Sequence, residues 1–375
     1  RYAIRRNTTP PGDASLRLWI GAGSLNEADD QRGLAHFLEH MVLNGTRNVP
    51  EGEFIRRLER VGLRFGPDTN ASTSFDATMF MLELPQTDKD TVDTALFLLR
   101  EVADKALLDP AAIERERGII LSEERARNTP GFRQLQQELA FLYPGQLLPT
   151  RLPIGTTEVI RTAQRPRFLD FYNAFYRPEN AVLVAVGDFD VDAMETRIRS
   201  QFADWKGEGA AGARAQEGRP IQRGPDAKVY VDPAATNRVA LTWVRPADLS
   251  PDSRTARIRD IHETLALAAL NRRFSRLAVA DDPPFVGASA GESEMVDTAE
   301  TTQINAAFRP RAWRRALAIV EQEQRRLLQF GVTDAELRRE ITAYRASLEA
   351  VVAAASTRTS PALANAIVAS LRDQR

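Results

Sequence analysis

The feature that most constrains this chain is the stretch Gly33-Leu34-Ala35-His36-Phe37-Leu38-Glu39-His40-Met41, which holds two of only three histidines in 375 residues. Its apolar residues demand burial. Its histidines stand four apart, so a helix stacks both imidazoles on one face, with Glu39 at that face's edge. A mostly buried helix that carries two imidazoles and a carboxylate needs a chemical reason. Two neutral nitrogen donors suit a borderline metal such as zinc, and a nearby carboxylate that is not a ligand suits a base acting on a metal-activated water. The order His-x-x-Glu-His is the inverted form of the zinc-hydrolase signature.

Composition narrows the remaining donors. The chain has no cysteine, so there is no disulfide framework and no thiolate site, and any further ligand must be His, Asp or Glu. The formal net charge of -1 gives no reason to expect nucleic acid or an anionic membrane as the main partner. No apolar run approaches the roughly 20 residues of a membrane span. The chain opens on Arg1-Tyr2-Ala3-Ile4-Arg5-Arg6, an alternating strand pattern rather than a secretory leader, as expected of a trimmed or mature piece.

The order of elements predicts two units. Strands at 1–6 and 15–20 precede the motif helix, which begins at about Gln31 and closes at Asn44-Gly45-Thr46. A helix at 51–61, a segment of small residues from Phe65 to Ser74 and a strand at 77–84 follow. Helices are expected at 89–107 and from Pro110 to about Arg127. A helix after Gly131 leads into an irregular loop, then an aromatic helix through Phe168 and Tyr176, a near-continuous apolar strand at 180–187 and a helix at 191–202. Lys206 to Asp226 is aperiodic and rich in Gly, Ala, Arg and Pro, and marks a boundary. Strands at 228–231 and 238–244, a long helix at 251–279, strands at 285–294 and 301–308, and helices at 312–330 and 333–353 then repeat the order of the first half. The reading is therefore α+β, with residues 1–210 as a metal-binding domain, 211–226 as a linker and 227–375 as a second homologous domain, open to truncation at its C-terminus. That copy lacks the motif. Its His262 has no second histidine within a turn and reads as a surface or packing residue.

The second helix after the motif supplies carboxylates. Ile113, Glu116, Ile120 and Glu123 step by three, four and three, so two carboxylates share a stripe with two isoleucines. A carboxylate on a core-facing stripe needs a cation or strong donors. Glu116 and Glu123 are two turns, roughly 10 Å, apart, so one is expected to bind the metal and the other to support a histidine or the base.

At these residues the chain resembles the pitrilysin/insulinase family of zinc metallopeptidases, which includes the mitochondrial processing peptidases. The resemblance rests on the histidine stretch with Asn44-Gly45-Thr46, on Asn70-Ala71-Ser72-Thr73-Ser74 and on Glu114-Arg115-Glu116-Arg117 through Glu123. Pro153-Ile154-Gly155-Thr156 and Tyr176-Arg177-Pro178-Glu179-Asn180 fit as well. The wording around Phe65 to Asn70 looks most like the bacterial PqqL-type branch. The resemblance implies two homologous α/β-sandwich domains, with a mixed sheet covered by helices, forming one half of a clam-shell chamber. It implies one zinc per chain held by His36, His40 and Glu123, with Glu39 as general base and Glu116 as the supporting acidic residue of the catalytic set. The family's usual gap from His40 falls at Glu116, whereas the Glu-Arg-Glu-Arg phrase places the ligand at Glu123; the phrase is preferred, since longer loops absorb the difference. Asn70 and Ala71 match the position that holds an extended substrate backbone.

The implied activity is zinc-dependent endoproteolysis of peptides or unfolded segments bound as an added strand. The family's far half supplies an arginine and a tyrosine to substrate, a pair without a counterpart here; Tyr344-Arg345 reads as packing. Expected partners are a peptide or unfolded protein substrate and a second half-chamber, whether a C-terminal half, another copy or a different subunit. The bacterial resemblance implies the periplasm, with the cytoplasm as the alternative. The competing reading is a non-catalytic scaffold, or a weakly active half that needs its complement.

Overall fold

The structure is a computed structural model that describes residues 1–372. In chain order the first elements are β1 (Tyr2–Arg6), β2 (Ala14–Ile20), α1 (Leu34–Met41), α2 (Glu53–Arg60), β3 (Thr69–Thr73), β4 (Thr78–Leu84), α3 (Lys89–Asp104) and α4 (Pro110–Arg127). Then come α5 (Pro130–Leu142), α6 (Thr157–Thr162), α7 (Arg165–Phe175), β5 (Ala181–Gly187) and α8 (Val191–Phe202). The rest is β6 (Arg238–Pro246), α9 (Arg254–Ala278), β7 (Gly287–Met295), β8 (Ala299–Ala307), α10 (Trp313–Phe330), α11 (Asp334–Ala353) and α12 (Ser360–Arg372).

Compactness groups these elements differently from chain order. One unit comprises residues 1–129, 147–217 and 356–372; the other comprises 130–146 and 218–355. The first unit is built on a five-stranded sheet in the order β1-β5-β2-β4-β3. Its β1–β5 pairing is parallel and the other pairings are antiparallel, so the sheet is mixed. β5 explains why that segment reads as a continuous apolar run. With side chains alternating across the sheet, Ala181, Leu183 and Ala185 join the large core beneath α1, α3 and α7, while Val182, Val184 and Val186 meet Leu363, Ala364 and Val368 of α12 on the other face. Asn7 Nδ2 donates to Ser360 Oγ at 3.1 Å, and buried Arg17 donates through Nε to Asn365 Oδ1 at 2.8 Å, fixing α12 on the sheet.

The second unit has a three-stranded antiparallel sheet in the order β6-β8-β7. Leu270 and Phe274 of α9 and Ala316 and Val320 of α10 pack with Ala290 and Ile304 in its core. α5 belongs here, tied by Tyr143 Oη to Thr301 Oγ1 at 2.7 Å and by Glu138 to Arg238 and Gln303. The expected strand at 228–231 does not form. Val229 and Val231 are more than four-fifths exposed, and no described strand pairs with the segment; alternation without a ladder partner does not make a strand. His262 lies exposed on α9.

Candidate metal centre

α1 begins at Leu34, later than the expected start near Gln31, because Gly33 sits in the left-handed region at φ +102° and Asp29–Gln31 form a separate turn of 3-10 helix. Its first amides are capped by a residue from the loop before it. Buried Glu27 accepts from Gly33 N at 2.9 Å and from Ala35 N at 2.8 Å, which satisfies donors that a helix start leaves free. Burial pushes the Glu27 carboxyl up to about 8. Arg151 ties the same loop down by donating to Glu27 O at 3.1 Å and pairing with Asp29 at 2.8 Å. Gly33 also packs backbone to backbone on Gly155: a Cβ at Gly155 would lie 2.3 Å from Gly33 Cα, and Gly155 itself has φ +75°.

α4 is set against α1 by buried Arg117. Its guanidinium lies over the Phe37 ring at 5.8 Å and donates to Ile160 O and to Ala163 O, so the helix can sit only where those acceptors are. Ile113 and Ile120 enter the core, and Glu116 and Glu123 on the same stripe are half-buried at the α1 face.

The consequence is a cluster. Glu123 Oε2 lies 3.5 Å from His36 Nε2 and its Oε1 lies 3.9 Å from His40 Nε2, and the donor atoms of the three residues lie within 4.8 Å of one another. Tetrahedral zinc with bonds of 2.0–2.2 Å wants ligand atoms about 3.3 Å apart, so small side-chain motions suffice. Among the described residues no other group of three His, Asp or Glu converges in this way.

The protonation of His36 and the hydrogen bond on His40 Nδ1 favour the same donor set. Burial, with smaller contributions from the charges of His40 and Arg127, pushes His36 down to about 3, so its imidazole is neutral; its buried Nδ1 has no hydrogen-bond partner. Glu116 Oε1 lies 2.8 Å from His40 Nδ1, and its Oε2 accepts from Asn44 Nδ2 at 2.6 Å. The hydrogen bond from His40 outweighs burial and holds Glu116 below the usual carboxylate range, so an ionised acceptor faces Nδ1. That fixes the proton on Nδ1 and turns the lone pair of Nε2 toward Glu123. Burial alone would lower His40, but Glu116, Glu123 and Glu39 together raise it. Two imidazole nitrogens and a carboxylate oxygen this close together are a donor set that fits a zinc ion.

Glu39 lies near enough to His40 and Glu123 to feel both charges, and burial raises its pKa. Its one hydrogen bond among the described residues comes from Thr73 Oγ1, at 2.6 Å to Oε2. Asn70 and Ala71 lie on β3, the edge strand of the sheet; Asn70 is exposed and its Oδ1 accepts from Ala71 N at 2.9 Å. Three residues have roles at this site that the sequence reading does not assign: Glu27, Thr73 and Asn44, which that reading has only closing the helix. The only available signal was positional, an acid six residues before the helix glycine and a hydroxyl on the α1-facing side of an alternating strand.

Comparison with known proteins places this geometry in context. Residues 2–139 match the model of "Insulinase (Peptidase family M16)" and residues 162–344 match that of "Peptidase M16 inactive domain". The Haemophilus influenzae protein described as "Probable zinc protease PqqL" is 36% identical over 203 residues, covering 54% of this chain and 22% of the relative. The crystal structure of the first half of the periplasmic protease PqqL from Escherichia coli superposes with a TM-score of 0.89 at 25% identity, over 100% of this chain and 80% of that one. For the whole E. coli protease the TM-score is again 0.89 at 24% identity, with 41% of its length covered. The chain thus spans less than half the length of these full-length relatives.

Proposed function

Because the chain belongs to the insulinase family of peptidases, family M16, we propose that it is the zinc-binding half of an endopeptidase that cleaves peptides or unfolded polypeptide segments. The observation that carries this reading is the convergence of His36 Nε2, His40 Nε2 and the Glu123 carboxylate beside Glu39.

His36, His40 and Glu123 would hold one zinc ion, and Glu116 keeps the His40 ring in the tautomer that offers Nε2. When bound, zinc supplies Lewis acidity that polarises a carbonyl and brings the pKa of water toward about 7. Glu39 acts as general base. The carboxylate oxygen that Thr73 leaves free takes the proton of the attacking water and later passes it to the leaving nitrogen. The edge of β3 at Asn70 and Ala71 receives the substrate backbone as an added strand, so affinity comes from main-chain pairing and side-chain preference is modest.

The relatives' length supports a second half-chamber as partner, supplied by a continuation of the polypeptide, another copy or a different subunit. The match of residues 162–344 to an inactive domain favours a second reading: an isolated half that binds metal and peptide but turns over slowly without its complement. Resemblance to a periplasmic protease supports the periplasm, and no described helix is long and apolar enough to cross a membrane. The test is Glu39→Gln in the full-length protein: hydrolysis of an unstructured peptide should fall by about 10²-fold or more while zinc stays near one per chain. Unchanged hydrolysis would remove Glu39 from the mechanism. A wild-type protein that holds zinc but cleaves nothing, even with its complement, would favour the scaffold.

A further inference from the structure

Glu39 carries the proposed proton transfer, yet among the described residues a single hydrogen bond holds its carboxylate, from Thr73 Oγ1 at 2.6 Å. Thr73 is the last residue of β3, at the sheet edge proposed to receive substrate. Burial alternates along β3, with Thr69, Ala71 and Thr73 on the α1 side and Asn70 and Ser72 exposed. The end of this strand is not loose. Ser24 N donates to Ser74 O at 3.1 Å and Leu25 N to Phe75 O at 2.8 Å, and a Cβ on Gly23 would lie 2.3 Å from Ser74 O, so the two backbones are in direct contact. Three residues further on, Glu27 caps the start of α1. One short segment, Gly23 to Glu27, therefore sets both the strand that bears the donor and the helix that bears the acceptor.

Resting on the reading of the site as a peptidase, we infer that Thr73 is a positioning residue that holds the carboxylate of Glu39 in its working orientation and ties it to the substrate-binding strand. The hydroxyl occupies Oε2 and leaves the other oxygen to face water. A substrate strand pairing with β3 restrains the same backbone, so binding at the edge steadies the base.

Thr73→Val keeps the shape and strand propensity and deletes the hydroxyl; Thr73→Ser keeps the hydroxyl. In the full-length protein Thr73→Val should lower kcat about tenfold or more, with KM changed less than about twofold and zinc still near one per chain. Thr73→Ser should recover kcat to within about threefold of wild type. A crystal structure of the Val variant should show the Glu39 carboxylate turned from its present position, and that of the Ser variant should keep it. Wild-type kcat in the Val variant, or a Ser variant as slow as the Val variant, overturns the inference. So does an unmoved carboxylate in the Val structure. If the wild-type protein hydrolyses no peptide, the functional reading fails by itself, and the crystallographic comparison alone decides whether Thr73 orients Glu39.

Discussion

Glu116 and Glu123, two turns apart on α4, approach opposite nitrogens of His40: Glu116 Oε1 lies 2.8 Å from Nδ1 and Glu123 Oε1 lies 3.9 Å from Nε2. Only Glu123 also faces His36. Glu123→Gln should therefore abolish stoichiometric zinc, whereas Glu116→Gln should retain zinc with affinity weakened about 10- to 100-fold. Metal analysis after dialysis against a graded chelator series checks this, and the reverse order would mean that the carboxylates have exchanged roles.

Glu27 predicts a pH dependence of stability. Burial raises its folded-state pKa to about 8 from an ordinary 4.5, so folding takes up a proton between those values. Its contribution is complete below the ordinary value and is lost as pH rises through the folded one. Glu27→Gln cannot titrate. The difference in unfolding free energy between about pH 5 and about pH 8 should shrink in the variant, as read from urea midpoints. An undiminished difference would assign the dependence to other groups.

Gly155→Ala should destabilise the first unit by about 2–5 kcal/mol, from a left-handed backbone and from overlap with Gly33. Gly12→Ala offers the contrast, since Gly12 also has positive φ but nothing within 4 Å of a Cβ, and should cost only about 1 kcal/mol. Equal losses in denaturant titration would show that the contact with α1 is unimportant.

Leu363→Ala should cost about 2–4 kcal/mol, because Leu363 is buried against Val182, Val184 and Val186. Thermal unfolding checks it, and a neutral result would detach α12 from the stability of the sheet.

Much of this was legible in the residues. The four-residue spacing of His36 and His40 and the stripe of Ile113, Glu116, Ile120 and Glu123 are helical periodicities, and both helices lie where those periods run. The strands β2, β4 and β5 follow from strong apolar patterns, whereas the mixed pairing of their sheet was implied by the family resemblance alone. What escaped depended on partners distant in sequence. Thr73 is 34 residues from Glu39, and alternation puts its hydroxyl on the covered side of β3 without revealing which carboxylate it meets. Tyr230 with its flanking valines has the alternation of a strand, but a strand needs a neighbour, which no single segment can reveal. The helix after Ala353 has its apolar residues at helical spacing, yet its destination, a sheet whose first strand starts at Tyr2, is a tertiary fact.

That destination bears on the order in which the molecule can be made. The ribosome delivers residues 1–217 with most of the metal-bearing unit, then must release the intervening 218–355 before α12 emerges to cover Val182, Val184 and Val186. The first unit is thus closed by a segment made after residues 218–355 of the second. Until then Val182, Val184 and Val186 lack their helical cover, so the sheet of the metal-bearing unit closes only after the intervening residues have been delivered.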